Sequence, residues 1–274
     1  MTIKVLAENT TTSKNLDSEH GLSLYIETKK HRLLFDTGKS SLFAQNALKM
    51  GIDLSLVDIA VISHGHYDHG GGIETFMALN SHAPIYISKR AFEPHYANRP
   101  GAEKEYIGLN PGLLPNSRFI FTAERLVIDE ELELFSDVTG NIFIPTGNKD
   151  LFVKNGETFL PDDFAHEQNL IIRESGKILL VAGCSHRGII NILEHFKAEQ
   201  SALPNFVAGG LHLSNPVTNG RENLDTVNEI DKYLLHTKAK FYACHCTGVE
   251  SYNRLLTVMG KNIEYFSTGD QLTI

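Results

Sequence analysis

Ser63-His64-Gly65-His66-Tyr67-Asp68-His69-Gly70-Gly71-Gly72 packs three imidazoles and a carboxylate into residues 64–69. Burying that many polar groups without a common partner is costly, and a divalent cation would satisfy all of them. The apolar, β-branched run Ile59-Ala60-Val61-Ile62 just before reads as a buried strand, and Ile73-Glu74-Thr75-Phe76-Met77-Ala78-Leu79 just after as a helix. The donors therefore sit at a strand end. From an extended backbone His64 and His66 point the same way, while Asp68 and His69, on the turn that follows, reach a neighbouring point; this suits two adjacent metals better than one. Solvated loop histidines are the alternative, but such tracts belong in low-complexity tails rather than between a strand and a helix.

The chain around this stretch has 274 residues, 42% of them hydrophobic, enough for a substantial core, and residues 1–274 read as a single domain. A formal net charge of -8 gives no global pull toward nucleic acid, and no nucleic-acid module or basic aromatic strip is evident. Cys184, Cys244 and Cys246 make no disulfide framework and favour a reducing compartment, so a cytoplasmic location is expected. Residues 1–9 carry a charge inside their only apolar run and read as neither signal peptide nor anchor; no apolar stretch is long enough to span a bilayer. Homo-oligomerisation is left open.

Upstream, residues 3–7 read as a strand, and 22–27 and 32–35 as a hairpin. Asp36 follows directly, positioned to cap a helix beginning at 40. Downstream, 83–87 reads as a strand. Residues 91–115 then mix aromatics, charges and prolines without a period, the texture of a lid or insertion over a cleft, where His95, Arg99 or Tyr106 could face a substrate. Strand-like pieces at 118–121, 126–127, 132–135 and 141–145 are expected to open a second sheet. Residues 170–172 and 177–181 flank a turn, and the chain then alternates: helix 188–197, strand 206–208, helix 223–235, strand 240–243, helix 251–256, strand 263–266. Such alternation brings strand-end groups to one edge. Three further strand ends bear donors: Gly183-Cys184-Ser185-His186-Arg187-Gly188, Gly209-Gly210-Leu211-His212-Leu213-Ser214 and Cys244-His245-Cys246-Thr247-Gly248. Alternation along the last sends His245 one way and both cysteines the other.

His64-Gly65-His66-Tyr67-Asp68-His69 resembles the signature of the metallo-β-lactamase fold superfamily. The resemblance implies a mixed α/β, four-layer αβ/βα sandwich with a mono- or dinuclear zinc, iron or manganese site at one edge of its two sheets. It implies that Asp36 lies beneath the metals, where a carboxylate gives a ligand histidine orientation and basicity. It places the last ligand at His245, leaving Cys244 and Cys246 as small buried residues. Cys184 stands where most members hold a metal-bridging aspartate, and it either supplies a thiolate or packs beside the site. Gly183-Cys184-Ser185-His186-Arg187-Gly188-Ile189 resembles a narrower branch that includes proteins named as β-ribofuranosylaminobenzene 5'-phosphate synthases and many hydrolases. That branch ranks His186 above His166 as a ligand, although many superfamily members hold a histidine in the loop where His166 lies. His212 fits the same branch and is expected to face substrate.

The expected constellation is His64, His66 and His186 around one ion, with Asp68, His69 and His245 around the other. Two divalent ions are expected, zinc first, with iron or manganese as alternatives. A water or hydroxide between them, its pKa lowered from about 15.7 toward about 7, would be a nucleophile at neutral pH. The expected activity is hydrolysis of a small anionic ester, a phosphoester by preference, with Asp68 and His212 catalytic and Arg187, Thr247 and Gly248 contacting substrate. The alternatives are a synthase that condenses an aromatic acid with an activated ribose phosphate, and a non-enzymatic metal-binding or regulatory protein. Iron-dependent oxygen chemistry is disfavoured, since no flavodoxin domain or rubredoxin-like cysteine set accompanies the chain.

Overall fold

The computed structural model describes residues 1–99, 101–215, 218 and 220–274. Two mixed sheets of seven strands form its centre. The first runs Gln271–Thr273, Thr2–Ala7, Ser23–Glu27, Arg32–Phe35, Ile59–Val61, Ile85–Ser88, Phe119–Thr122; the second runs Ile263–Tyr265, Lys240–Ala243, Phe206–Gly209, Lys177–Ala182, Asn169–Glu174, Leu132–Phe135, Arg125–Val127.

The two-residue period of a strand builds the layers. Leu33 and Phe35 of the first sheet meet Leu179 and Val181 of the second in a shared core. The residues between them point outward: Leu34 packs with Phe43, Ala47, Ile73 and Phe76 of helices Leu42–Lys49 and Ile73–Leu79. Leu180 packs with Ile189, Leu193 and Phe196 of helix Ile189–Gln200, in a cluster that also takes in helices Leu224–Thr237 and Val249–Met259. The order is helices, sheet, sheet, helices, the four-layer αβ/βα sandwich. Among the described residues no helix is long and apolar enough to cross a membrane.

Strand register then fixes the site. Phe35 pairs with Val61, and Ala182, Gly209 and Ala243 lie side by side on three adjacent parallel strands. Asp36, Ser63, Gly183, Gly210 and Cys244 therefore leave the sheets close to one another. At Gly183 a Cβ would fall 2.2 Å from Ser63 Oγ, so only glycine lets the two sheet ends approach there.

Three expectations are corrected. Phe119–Thr122 pairs parallel with Ile85–Ser88 and closes the first sheet, so the second opens at Arg125–Val127. Residues 141–145 form no strand and leave Ile142, Phe143 and Ile144 exposed. The 91–115 segment is largely regular: His95–Arg99 and Ala102–Tyr106 form a hairpin that pairs with Leu151–Asn155 and, through it, Thr158–Pro161. Aromatic edge contacts hold this small sheet, with Tyr96 5.3 Å from Tyr106 and 5.0 Å from Phe159 between ring centroids. Pro100 lies outside the described residues.

Candidate metal centre

His64, His66 and His186 converge, with ring centroids 4.6 to 5.0 Å apart. The Nε2 of each is buried with no hydrogen-bond partner. Neighbouring groups set two of the tautomers. Ser63 Oγ donates to Asp36 Oδ2 at 2.7 Å, which leaves it to accept Nδ1–H of His64 at 2.8 Å. Asn148 Nδ2 donates to the His186 carbonyl at 2.7 Å, so its Oδ1 accepts Nδ1–H of His186 at 3.0 Å. Both Nε2 atoms thus turn a lone pair inward. Burial, followed by the neighbouring imidazoles, holds all three histidines well below the usual histidine range, in the neutral form that ligates metals.

A second cluster adjoins it. His69 Nε2 lies 3.1 Å from His245 Nε2 and 3.1 Å from Cys184 Sγ, and Asp68 Oδ2 lies 3.4 Å from His245 Nε2. His69 Nδ1–H donates to Asp36 at 2.6 Å and His245 Nδ1–H to Asn9 Oδ1 at 2.8 Å, so the facing Nε2 atoms both present lone pairs. Two lone pairs at that distance call for a cation. Burial alone would raise Asp68, but the neighbouring imidazoles of His69, His20 and His245 hold its carboxyl well below the usual carboxylate range. His20, which sequence reasoning passed over, reaches Asp68 Oδ2 at 3.2 Å.

Buried carboxylates anchor the donor turns. Asp36 also accepts Ser63 N–H at 2.7 Å. Glu167 accepts the backbone N–H groups of His186 and Arg187 at 2.7 and 3.0 Å. Glu8 accepts His245 N–H at 2.6 Å together with the Tyr265 hydroxyl and both donors of Thr10. Neither glutamate was visible as a site residue in the sequence; for Glu8 alone, a polar residue just past a strand pattern was a signal. Asp36, Ser185, His212 and His245 all adopt left-handed backbone, with φ of 58°, 60°, 50° and 51°. Each such residue costs on the order of 1 kcal/mol and persists only where its surroundings over-determine it.

The remaining candidates separate. His166 accepts Gly65 N–H through Nδ1 at 2.9 Å and reaches Asp162 through Nε2 at 3.3 Å, so both its nitrogens are engaged. His95 pairs with the same Asp162 at 2.8 Å and is buried, and with His66, Asp162 and His166 it forms a further donor group whose atoms lie within 4.8 Å of one another. Tyr106 spends its hydroxyl on the Leu109 carbonyl. The guanidinium of Arg187 is occupied by the carbonyls of Val138 and Asp163, at 2.9 and 3.1 Å. Thr247 Oγ1 accepts Leu211 N–H at 3.0 Å, and Gly248 borders a neighbouring cavity lined by Ser214 and Arg221. Cys244 packs in the core between the sheets, but Cys246 does not. The left-handed His245 breaks the strand alternation and brings Cys246 within 4.8 Å of the donor atoms of Cys184 and His245.

The donors open on a cavity of about 50 Å³ bordered by Arg99, Ile107 and Leu151 from the small sheet and its flank. An adjoining cavity of about 210 Å³ is lined by Lys149, Arg221 and Glu222. His212 borders both, its buried Nδ1 without a partner.

Comparison with known proteins agrees with this architecture. The family described as the metallo-beta-lactamase superfamily matches residues 17–152. A crystal structure of Tm1679, described as a metal-dependent hydrolase of the beta-lactamase superfamily, is 31% identical, with a TM-score of 0.83 over 100% of this chain and 99% of that one. An uncharacterized protein of Methanocaldococcus jannaschii is 28% identical, covering 92% of this chain and 93% of its own. From the same organism, 7,8-dihydropterin-6-methyl-4-(beta-D-ribofuranosyl)-aminobenzene-5'-phosphate synthase is 26% identical, covering 92% and 89%.

Proposed function

We propose that this chain, which belongs to the metallo-β-lactamase superfamily, is a metal-dependent hydrolase of a small anionic ester, a phosphoester by preference. The observation that carries this reading is the set of inward-facing imidazole nitrogens at one sheet edge: the unpartnered Nε2 atoms of His64, His66 and His186, and the facing Nε2 atoms of His69 and His245. That donor set fits divalent cations, with His64, His66 and His186 holding one and Asp68, His69 and His245 the other. When bound, such ions supply Lewis acidity and acidify a water toward neutral pH.

The chain's own groups supply the rest. Asp36 keeps His69 oriented, and Ser63 relays the same carboxylate to His64. His20, 3.2 Å from Oδ2, holds the carboxylate of Asp68 toward the cavity. Arg99, at the cavity wall, offsets the charge of an anionic substrate. The inner cavity has room for only a reacting group, so the bulk of a substrate would extend past His212 into the larger cavity, whose wall carries Lys149 and Arg221 together with the carboxylates of Asp150 and Glu222. His212 is then placed to give a proton to the leaving group through its free Nδ1.

The test is a screen of the metal-replete protein against phosphomonoesters, phosphodiesters, cyclic nucleotides, lactones and thioesters in isotopically labelled water. Label should enter a product, at a rate that falls sharply for Asp68→Asn. The synthase among the relatives supports a second reading, in which the same ions would hold the phosphates of an activated ribose. No hydrolysis across the screen, together with metal-dependent carbon–carbon bond formation from an aromatic acid and that ribose, would decide for the synthase.

A further inference from the structure

Cys184 and Cys246 are both 3% exposed, yet neither joins the hydrophobic clusters of the described residues, whereas Cys244 packs among Leu179, Val181 and Tyr242 in the core between the sheets. The thiols of Cys184 and Cys246 and a ring nitrogen of His245 lie within 4.8 Å of one another. Cys184 Sγ is also 3.1 Å from His69 Nε2, and it shares further clusters with His64 and His69, and with His186 and His212. Cys184 therefore stands between the two histidine groups, and Cys246 extends the sulfur on the His245 side.

The backbone prepares Cys246 for this place. The N–H of His212 donates to its Sγ at 3.3 Å, the kind of donor that stabilises a sulfur anion. At Gly210 a Cβ would fall 2.4 Å from the same sulfur, so a side chain there would displace it. The left-handed turn at His245 aims the imidazole and the next thiol into one cavity, against strand alternation.

We propose that Cys184 and Cys246 both enter the metal centre as thiolates, making the position shared with His245 a sulfur-containing site that selects zinc or iron(II) over manganese or magnesium. The inference rests on the metal-centre reading above and deepens it. On loading, each thiol gives up its proton to solvent and two sulfur–metal bonds form without redox change. Soft sulfur donors favour zinc and iron, whereas manganese and magnesium prefer oxygen.

The test uses the full chain stripped of metal and reloaded with cobalt(II). A near-ultraviolet thiolate-to-cobalt charge-transfer band should appear; Cys184→Ser and Cys246→Ser should each lose about half of it, the double variant all of it, and Cys244→Ser none. Wild-type protein loaded with zinc gives an answer that needs no variant to fold: X-ray absorption should show sulfur in the coordination shell at about 2.3 Å. Cobalt bound with visible ligand-field bands but no charge-transfer band, or an undiminished band in Cys246→Ser, would overturn the inference and leave the histidine centre standing. Wild-type protein that binds no cobalt at all would overturn both.

Discussion

The carboxylate of Glu8, just past the first strand, accepts the backbone N–H of His245 at 2.6 Å across 237 residues of sequence. The first strand is thereby tied to the turn that presents the last histidine. Glu8 receives four donors and is fully buried. Glu8→Gln would turn an amide toward groups that can only donate or prefer to, leaving at least one buried donor unsatisfied. We expect a loss of about 1–3 kcal/mol in stability and of roughly 10–100-fold in metal affinity, read by urea unfolding and by competitive zinc titration. Tyr265→Phe removes one of the four donors without touching the His245 turn; it should cost about 1 kcal/mol and spare metal affinity.

The metal-free protein should show a stability maximum near pH 6.5. Burial holds His64, His66 and His186 well below the ordinary value and lowers His166 as well. Below about pH 6.5 these groups take up protons in the unfolded chain but not in the folded one, so stability falls with pH, by about 1.4 kcal/mol per unit for each fully shifted histidine. His69 and His212 are raised despite burial, His69 chiefly through Asp36 and His212 through contact with Cys246. Their contribution is fully present below about pH 6.5 and is lost as pH rises through their folded values. Urea midpoints of chelator-treated protein from pH 5 to 8 check this. A monotonic rise across the range would contradict it, and His186→Gln should make the acid limb shallower.

Much of this was legible in the sequence because the strands carrying the ligands are continuous apolar runs. Lys177–Ala182, Phe206–Gly209 and Lys240–Ala243 are buried on both faces, so their ends were visible as abrupt changes to glycine, cysteine and histidine. The sequence places 118–121 in the second sheet, whereas the strand Phe119–Thr122 joins the first, because membership depends on a parallel pairing with Ile85–Ser88 that no local pattern encodes. Cys246 was misread because strand alternation assumes extended backbone, and His245 lies at φ 51°. Glu8 and Glu167 were hidden for another reason: carboxylates are mostly exposed, and only tertiary structure shows the N–H groups that satisfy these two.

The small sheet gives the cleft its cationic wall. Arg99 ends the strand His95–Arg99, lines the inner cavity beside Tyr67 and is held by Glu105 at 3.1 Å. Arg99→Ala should leave metal content and fold unchanged and raise KM for an anionic substrate by about tenfold, with a smaller effect on kcat. Unchanged KM for every substrate turned over would remove this segment from the account of binding.

His212 bears the sharpest test of chemistry against structure. It borders both cavities, its Nδ1 is buried without a partner, and its ring lies 4.2 Å from that of His186 without contributing to either proposed ligand trio. Its φ of 50° narrows the useful replacements, because asparagine accepts left-handed backbone better than most residues and preserves the N–H that reaches Cys246. In His212→Asn we therefore expect unchanged zinc content and a melting temperature close to that of the wild type. Turnover of an ester with a poor leaving group should fall by about 10²–10⁴-fold, the usual contribution of a positioned proton donor. An ester whose leaving group departs without protonation, such as a nitrophenolate, should lose far less. Equal losses for both esters would show that His212 positions substrate instead of donating a proton, and zinc loss in parallel with turnover would make it a ligand.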